Sequence, residues 1–336
     1  MKREEKKAIA FAIFKAGLSA VNPEKAVRRV LVREKGLLKI GEKTCRLNSF
    51  ERIFVVGAGK ASALMAKAVE EILADRITKA VVIVKDGYTE NTRKIKLREA
   101  AHPVPDERSL KASREILEIR SEAGEKDLVL CLFSGGGSSL MELLPENISL
   151  YDLQRTTEQL LKSGANIEEI NTIRKHISRV KGGRLASCAY PARVFSLILS
   201  DVPGDPLEFI ASGPTVYDST SFSDAIKIIN KYELKDKLPS GVLQYLDKGK
   251  KGEVAETPKA GSPVFDRVEN IIVGSNLLAA EKAVEKARQM GFNSLVLSSQ
   301  IQGEAREVAK VFSGILKEIR LSRNPLSPPA CVVAGG

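Results

Sequence analysis

The sequence predicts an α/β protein, with a layered αβα domain around a mostly parallel sheet followed by a second α/β domain. Three observations point there. Short, nearly continuous apolar runs recur along the chain, as expected of strands covered on both faces. Helix-patterned segments separate these runs, and strand–helix alternation at that spacing builds a layered sheet with right-handed crossovers. The length of 336 residues suits roughly two domains at about 150 residues each.

The first strand candidates are Ile53–Val56 and Ala80–Val84 (AVVIV), followed by Asp127–Phe133 (DLVLCLF) and Val194–Ser200 (VFSLILS). Between the first two, Ser62–Ala74 sets Leu64, Met65, Ala68, Val69, Ile72 and Leu73 on one helical face. Beyond about Thr220 the pattern weakens. Lys248–Pro263 is rich in charge, glycine and proline and reads as a linker or long exposed loop. Alternation then resumes with Asn270–Gly274 as strand, Leu277–Met290 as helix, Ser294–Ser298 as strand and Gly303–Ile319 as helix, before a last strand-like run at Ala330–Ala334. The domain reading is therefore 1–245, a linker at 246–265, and a second domain at 266–336. A glycine pair after a strand usually opens a turn into another element. Gly335-Gly336 thus leaves the second domain looking unfinished, and the natural chain is expected to continue.

Composition narrows the function. The 43% hydrophobic content is too high for a disordered chain. No apolar run approaches the ~18–20 residues needed to span a bilayer. The start, MKREEKKAIAFAIF, has no apolar stretch ending in a small-residue cleavage site, so it is no secretion signal. Four scattered cysteines without a CxxC suit buried thiols in a reducing compartment, here expected to be the cytoplasm, and make a zinc site a poor reading. Two histidines exclude a His-rich metal centre. The net charge of +11 attracts nucleic acid or anionic metabolites alike. With 5% aromatics, no tryptophan and basic residues interleaved with acidic ones, nucleic acid ranks below phosphate-bearing small molecules.

Four segments carry chemistry. Val55–Ser62 (VVGAGKAS) lies at a strand-to-helix junction, where Gly57 and Gly59 permit close backbone approach and Lys60 stands at the mouth of the turn. It is similar to a Rossmann-like G-x-G-x-x-G with Ser62 at the third glycine, and Asp86 is a candidate ribose ligand. It is not a Walker A loop. Ser134–Ser139 (Ser134, Gly135, Gly136, Gly137, Ser138, Ser139) follows an apolar strand; it is either an anion nest or a flexible connector, and its place at a strand's carboxyl end favours the nest. Glu168–Arg184 reads as one helix with a buried stripe of Ile170, Ile173, Ile177 and Val180, ended by Gly182-Gly183. Its Arg174, Lys175, Arg179 and Lys181 either complement the helix dipole or clamp a polyphosphate. Ser200–Asp205 (SDVPGD) brings Asp201 and Asp205 to a strand end, to hold Mg²⁺ or accept a hydroxyl proton. Turn chemistry alone explains Asp205 better than Asp201. Together these parts describe phosphoryl transfer, which is mostly positioning and charge neutralisation.

In order and spacing, VVGAGKAS, AAHPVPDE, LFSGGGSSL, EEINTIRKHISRVKGGRLA and SDVPGDPLEFIASGPT closely resemble the glycerate 2-kinases of the MOFRL-containing type, relatives of proteins named for hydroxypyruvate reductase. The resemblance implies ATP-dependent phosphorylation of D-glycerate to 2-phosphoglycerate with Mg²⁺, in a cleft between two α/β domains, the second (MOFRL) domain incomplete here. Carried over by position, it makes Lys60 the substrate-binding lysine, Ser134–Ser139 the anion loop, Asp201 the base or a metal ligand, and Arg174, Lys175 and Lys181 the basic helix. Expected partners are D-glycerate and a nucleotide, with neither nucleic acid nor membrane; a homodimer is left open. Two departures stand out: Ala101 precedes His102 where glycine is commoner, and the family's GGRNQE stretch is not reached before Gly336. The competing readings are an NAD(P)-dependent hydroxypyruvate reductase, using Gly57, Gly59 and Asp86, and a basic nucleic-acid-binding protein.

Overall fold

The computed structural model describes residues 3–336. Two helices open it, α1 (Arg3–Ala20) and α2 (Pro23–Val30). Asn22 caps the second, its side chain accepting from the Lys25 amide (3.1 Å), with Pro23 at the first helical position where no N–H is needed. A small antiparallel meander follows: β1 (Leu31–Glu34), β2 (Leu37–Ile40) and β3 (Lys43–Arg46).

The main sheet is built from β4 (Ile53–Ala58), β5 (Ile77–Lys85), β6 (Lys96–Ala100), β7 (Leu128–Ser134), β8 (Arg193–Leu199) and β9 (Val268–Gly274). All pairings are parallel, in the order β6-β5-β4-β7-β8-β9. This confirms the layered α/β class, and the expected strands are present. β6 was not foreseen: KLREA is a mostly wet edge strand, and its charges hide it from an apolar-run criterion. The sixth strand, β9, comes from beyond the loop at 246–265.

Alternation divides the strands between two cores. From β4 and β7, Ile53, Val55, Leu128, Leu130 and Leu132 face one side, where they meet Val27 of α2 and Met65 and Val69 of α3 (Ser62–Leu73). Phe54, Val56, Val129, Cys131 and Phe133 face the other, against Ala112 and Ile116 of α4 (Glu107–Ser121). Four further helices connect β7 to β8: the single-turn α5 (Gly137–Leu140), α6 (Leu150–Lys162), α7 (Ile167–His176) and α8 (Arg184–Ala189). After β8 come α9 (Phe222–Lys231) and α10 (Ser240–Lys250), which gather with α6 and α7 around Leu153, Leu160, Ile173, Phe222 and Leu246.

The segment 248–263, expected as a linker or exposed loop, contains a packed piece. Thr257 is buried, the Asp218 amide donates to the Pro258 carbonyl (2.9 Å), and the Glu256 carboxylate meets Nε2 of the buried His176 (3.0 Å). A buried imidazole requires an acceptor, and this segment supplies it. In the second half, α11 (Asn276–Gln289), β10 (Asn293–Ser298), α12 (Ala305–Ser322) and β11 (Ala330–Ala334) follow, with β10 and β11 forming a parallel pair. The first helix α1 packs on α11 so closely that a Cβ at Gly17 would lie 2.7 Å from the Ala279 carbonyl oxygen. Among the described residues no helix is long and apolar enough to cross a membrane.

Glu256 gives a testable consequence for stability. Burial alone would raise its carboxyl, but His176 and the amides of Phe222 and Thr257 outweigh that and hold it at about 2 against an ordinary 4.5. A carboxyl depressed in the folded state contributes above its unfolded value and loses that contribution as pH falls through about 2. Glu256→Gln is expected to lower Tm at pH 7 by roughly 2–5 °C and to remove this share of the acid-induced loss between pH ~4.5 and ~2. Thermal melts across that range check it, and identical wild-type and variant profiles would contradict it.

Candidate active site

In the strand order β6-β5-β4-β7-β8-β9, β4 is flanked by β5 on one side and β7 on the other. The connections therefore diverge above β4 and β7, the switch point where open α/β sheets bind ligands. Both glycine loops emerge there, since Ala58 at the end of β4 is paired with Phe133 near the end of β7. They are tied directly together. The Lys60 amide donates to the Gly135 carbonyl (2.9 Å), and the Ala61 amide donates to the Ser134 hydroxyl (3.0 Å).

Close approach explains the glycines, against the alternative of a flexible connector. A Cβ at Gly135 would lie 1.9 Å from Oδ2 of Asp201, so the end of β8 delivers its carboxylate onto bare backbone. Gly136 is left-handed (φ 84°), and a Cβ there would lie 2.8 Å from the His102 ring. Three strand ends thus converge on one point. Lys60 Nζ stands 3.7 Å from Asp201 Oδ2, with both side chains substantially open to solvent at 38% and 54% exposure. His102 is driven below its ordinary range by burial and by the neighbouring Lys60 and Lys85, with Asp201 pulling the other way.

The basic segment is organised differently from the single helix expected. Asn166 and Glu169 form a capping box that starts α7, but the helix ends at His176. The chain then turns back, with the Arg179 amide donating to the Leu143 carbonyl (2.7 Å) and the Gly182 and Gly183 amides donating to the carbonyls of Ser212 (3.0 Å) and Gly213 (2.7 Å). Ile177 and Val180 remain buried, so the apolar stripe persists although the helix does not. Of the three residues expected to bind phosphate, only Arg174 reaches the loop, its Nη2 donating to the Ser138 carbonyl (3.0 Å). Lys175 and Lys181 are buried, and their ammonium groups are taken by carboxylates. Lys175 pairs with Asp218 (2.6 Å). Lys181 pairs with Glu142 (2.7 Å) and donates to the Met141 carbonyl (2.8 Å). Burial pushes Lys181 down to about 8, opposed by Glu142. The same Glu142 accepts from Ser178 Oγ (2.6 Å) and lies 3.8 Å from Arg174.

Three residues were not singled out by sequence. His102 carried a signal only as part of the AAHPVPDE motif, with no role attached to it. Glu142, at the end of SSLME, looked like any charged residue. Ser212 is the third: Ala211 (φ 52°) and Ser212 (φ 60°) both adopt left-handed backbone, a costly arrangement that small residues in IASGPT accommodate. It sets Ser212 Oγ 2.7 Å from Ser138 Oγ and 3.3 Å from Asn171 Oδ1.

Two other candidates sit elsewhere in role. Asp205 closes the 202–205 turn with left-handed backbone (φ 54°), its amide donating to the Val202 carbonyl (3.0 Å), which accounts for it without a ligand. Both carboxylate oxygens of Asp86 are held by Arg108 (2.6 and 2.8 Å). The loop after β10 also approaches, a Cβ at Gly204 lying 3.4 Å from the Gln300 side chain. A cavity of about 880 Å³ between α1, α11, α12 and β11 is lined mainly by apolar groups such as Ile13, Phe14 and Val333, with no Asp or Glu side chain in its wall. It is unsuited to this chemistry.

Comparison with known proteins places the chain among relatives of one family. The family profile described as a domain of unknown function (DUF4147) matches residues 9–247. A glycerate 2-kinase of Pyrococcus horikoshii is 44% identical over 285 residues, covering 85% of this chain and 63% of the relative. A D-glycerate 2-kinase of Thermotoga maritima is 40% identical over 336 residues, covering 99% of this chain and 74% of the relative. The crystal structure of a glycerate kinase from Thermotoga maritima superposes with a TM-score of 0.85 at 39% identity, over 99% of this chain and 74% of that one. The chain thus spans less than two thirds of the Pyrococcus relative's length and about three quarters of the Thermotoga relative's.

The buried pair under the loop makes a prediction. Glu142→Ala leaves the Lys181 ammonium buried without its carboxylate, at an expected cost of about 3–5 kcal/mol. Urea denaturation of the two proteins measures it, and a change below about 1 kcal/mol, the size of a surface pair, would contradict the buried arrangement.

Proposed function

Because this chain belongs to the glycerate 2-kinase family, we propose that it transfers the γ-phosphoryl group of ATP to the 2-hydroxyl of D-glycerate above β4, β7 and β8. The observation that carries this reading is the approach of Lys60 to Asp201 (3.7 Å) across a loop with no side chain at Gly135. A cation and a carboxylate at one point serve the two needs of the reaction. Asp201 accepts the proton of the glycerate 2-hydroxyl as its oxygen attacks the γ-phosphorus and the bond to the ADP oxygen breaks. Lys60 meets the negative charge of the glycerate carboxylate or of the transferring phosphoryl group. Ser138, fixed by Ser212, and Arg174, fixed on the Ser138 carbonyl, hold the loop's shape, so the donors need little reorganisation during reaction.

A magnesium ion, when bound, neutralises charge on the nucleotide's phosphates. Among the described residues no cluster of three or more His, Cys, Asp or Glu side chains is placed to hold a metal. The residues present would fit an ion carried on the nucleotide's phosphates and completed mainly by water, as is usual for Mg²⁺, with Asp201 kept for the hydroxyl proton. The hydroxypyruvate reductase reading needs Asp86 free for a ribose, and Arg108 occupies both its oxygens.

ADP release from ATP measured with and without D-glycerate, beside NADH oxidation with hydroxypyruvate, tests the proposal. Glycerate-dependent ADP release is expected; NADH consumption without it would overturn the reading. Lys60→Ala should reduce kcat/KM by roughly 1,000-fold while shifting stability by less than about 1 kcal/mol, because an exposed ion pair contributes little to folding. Asp201→Asn should lower kcat about 10²–10⁴-fold with a small change in the glycerate KM, and added Mg²⁺ should not restore it. Recovery at high Mg²⁺ would make Asp201 a metal ligand instead of the base.

A further inference from the structure

A second cavity, about 410 Å³, opens beside the glycine loop between α6 and the segment Pro103–Pro105. This lies within the ~300–1,000 Å³ typical of small-molecule pockets. Its walls keep large apolar side chains in water: Tyr151 is 69% exposed, Leu161 63% and Val104 55%. A single exposed apolar residue is ordinary, but several around one concavity mark a binding surface.

The cavity is joined to the phosphate loop at two places. Arg174 lines it and reaches out to donate to the Ser138 carbonyl (3.0 Å). Pro103, also in its wall, follows His102, whose ring packs on Gly136. Arg174 is only 14% exposed, and its Nε is buried with no hydrogen-bond partner, an unmet donor at the junction of cavity and loop. Gln154 pins the opposite wall, its Nε2 donating to the Pro105 carbonyl (3.0 Å). The pocket is therefore braced on both sides.

Glycerate is small and polar on every carbon, so it neither fills this space nor covers these walls. A nucleoside does both, with flat apolar faces for Tyr151, Leu161 and Val104 and polar edges for Gln154 and Arg174. We propose that this cavity is the nucleoside subsite, holding base and ribose while the phosphates extend past Arg174 onto the Gly135–Ser138 loop. The proposal rests on the kinase reading for its polyphosphate, but its test does not depend on turnover.

The test is equilibrium titration of the full chain with ADP and, separately, with inorganic pyrophosphate. The paired substitution Tyr151→Ala with Leu161→Gln lies at exposed positions and should leave Tm within about 2 °C. It is expected to raise the ADP Kd at least tenfold, as loss of base stacking and apolar contact does, while the pyrophosphate Kd stays within twofold. An unchanged ADP Kd, or wild-type pyrophosphate binding as tight as ADP, would overturn the subsite. A chain that binds ADP through these side chains yet phosphorylates no glycerate supports the subsite and removes the kinase reading. Normal glycerate turnover with an unchanged ADP Kd does the reverse.

Discussion

Parallel pairing of β4 with β7 decides where everything else must go. With β5 and β6 on one side and β8 and β9 on the other, the chain leaves β4 and β7 in opposite directions, and a crevice opens above them. Hydrogen bonds between Lys60 and Gly135 and between Ala61 and Ser134 keep the two exits at backbone distance. No Cβ fits there, so the glycines follow from the pairing, and so does the access of Asp201 from the next strand. Lys60 gains its neighbour because β8 lies beside β7; neither loop would make the pair alone.

Beneath this open pair lies a closed one. Glu142 holds Lys181, Ser178 and the vicinity of Arg174, while Asp218 holds Lys175. Buried ion pairs are a weak source of net stability, because desolvation offsets most of their attraction. Their effect here is positional: they fix where α7 ends and hence where Arg174 emerges beneath Ser138. The exposed charges are thus left for ligands and the buried ones are used up in the support. His176 and Glu256 extend the support to the segment following α10.

Much of this was legible in the sequence because the constraints are local. Strands buried on both faces require unbroken apolar runs, and VVGAGKAS and SGGGSS betray close backbone approach by their lack of side chains. The limits are equally physical. KLREA forms an edge strand, where one side of the sheet is wet and charge is tolerated. Ile177 and Val180 stay buried after α7 has ended, so burial periodicity runs on past the helix. A lysine in a buried pair and one in solvent read identically; only the distant Glu142 and Asp218 tell Lys181 and Lys175 apart from Lys60. Ser212 owes its place to left-handed backbone, which small residues permit but do not announce.

The proposed phosphoryl transfer requires Lys60 and Asp201 to work as one unit, brought together by three strand ends. A double-mutant cycle on kcat/KM for D-glycerate, with Lys60→Ala, Asp201→Asn and both, measures that coupling directly. If they act together, the double variant should be little worse than the more damaged single one. Losses that simply multiply would mean two independent groups and would contradict a joint role for the pair.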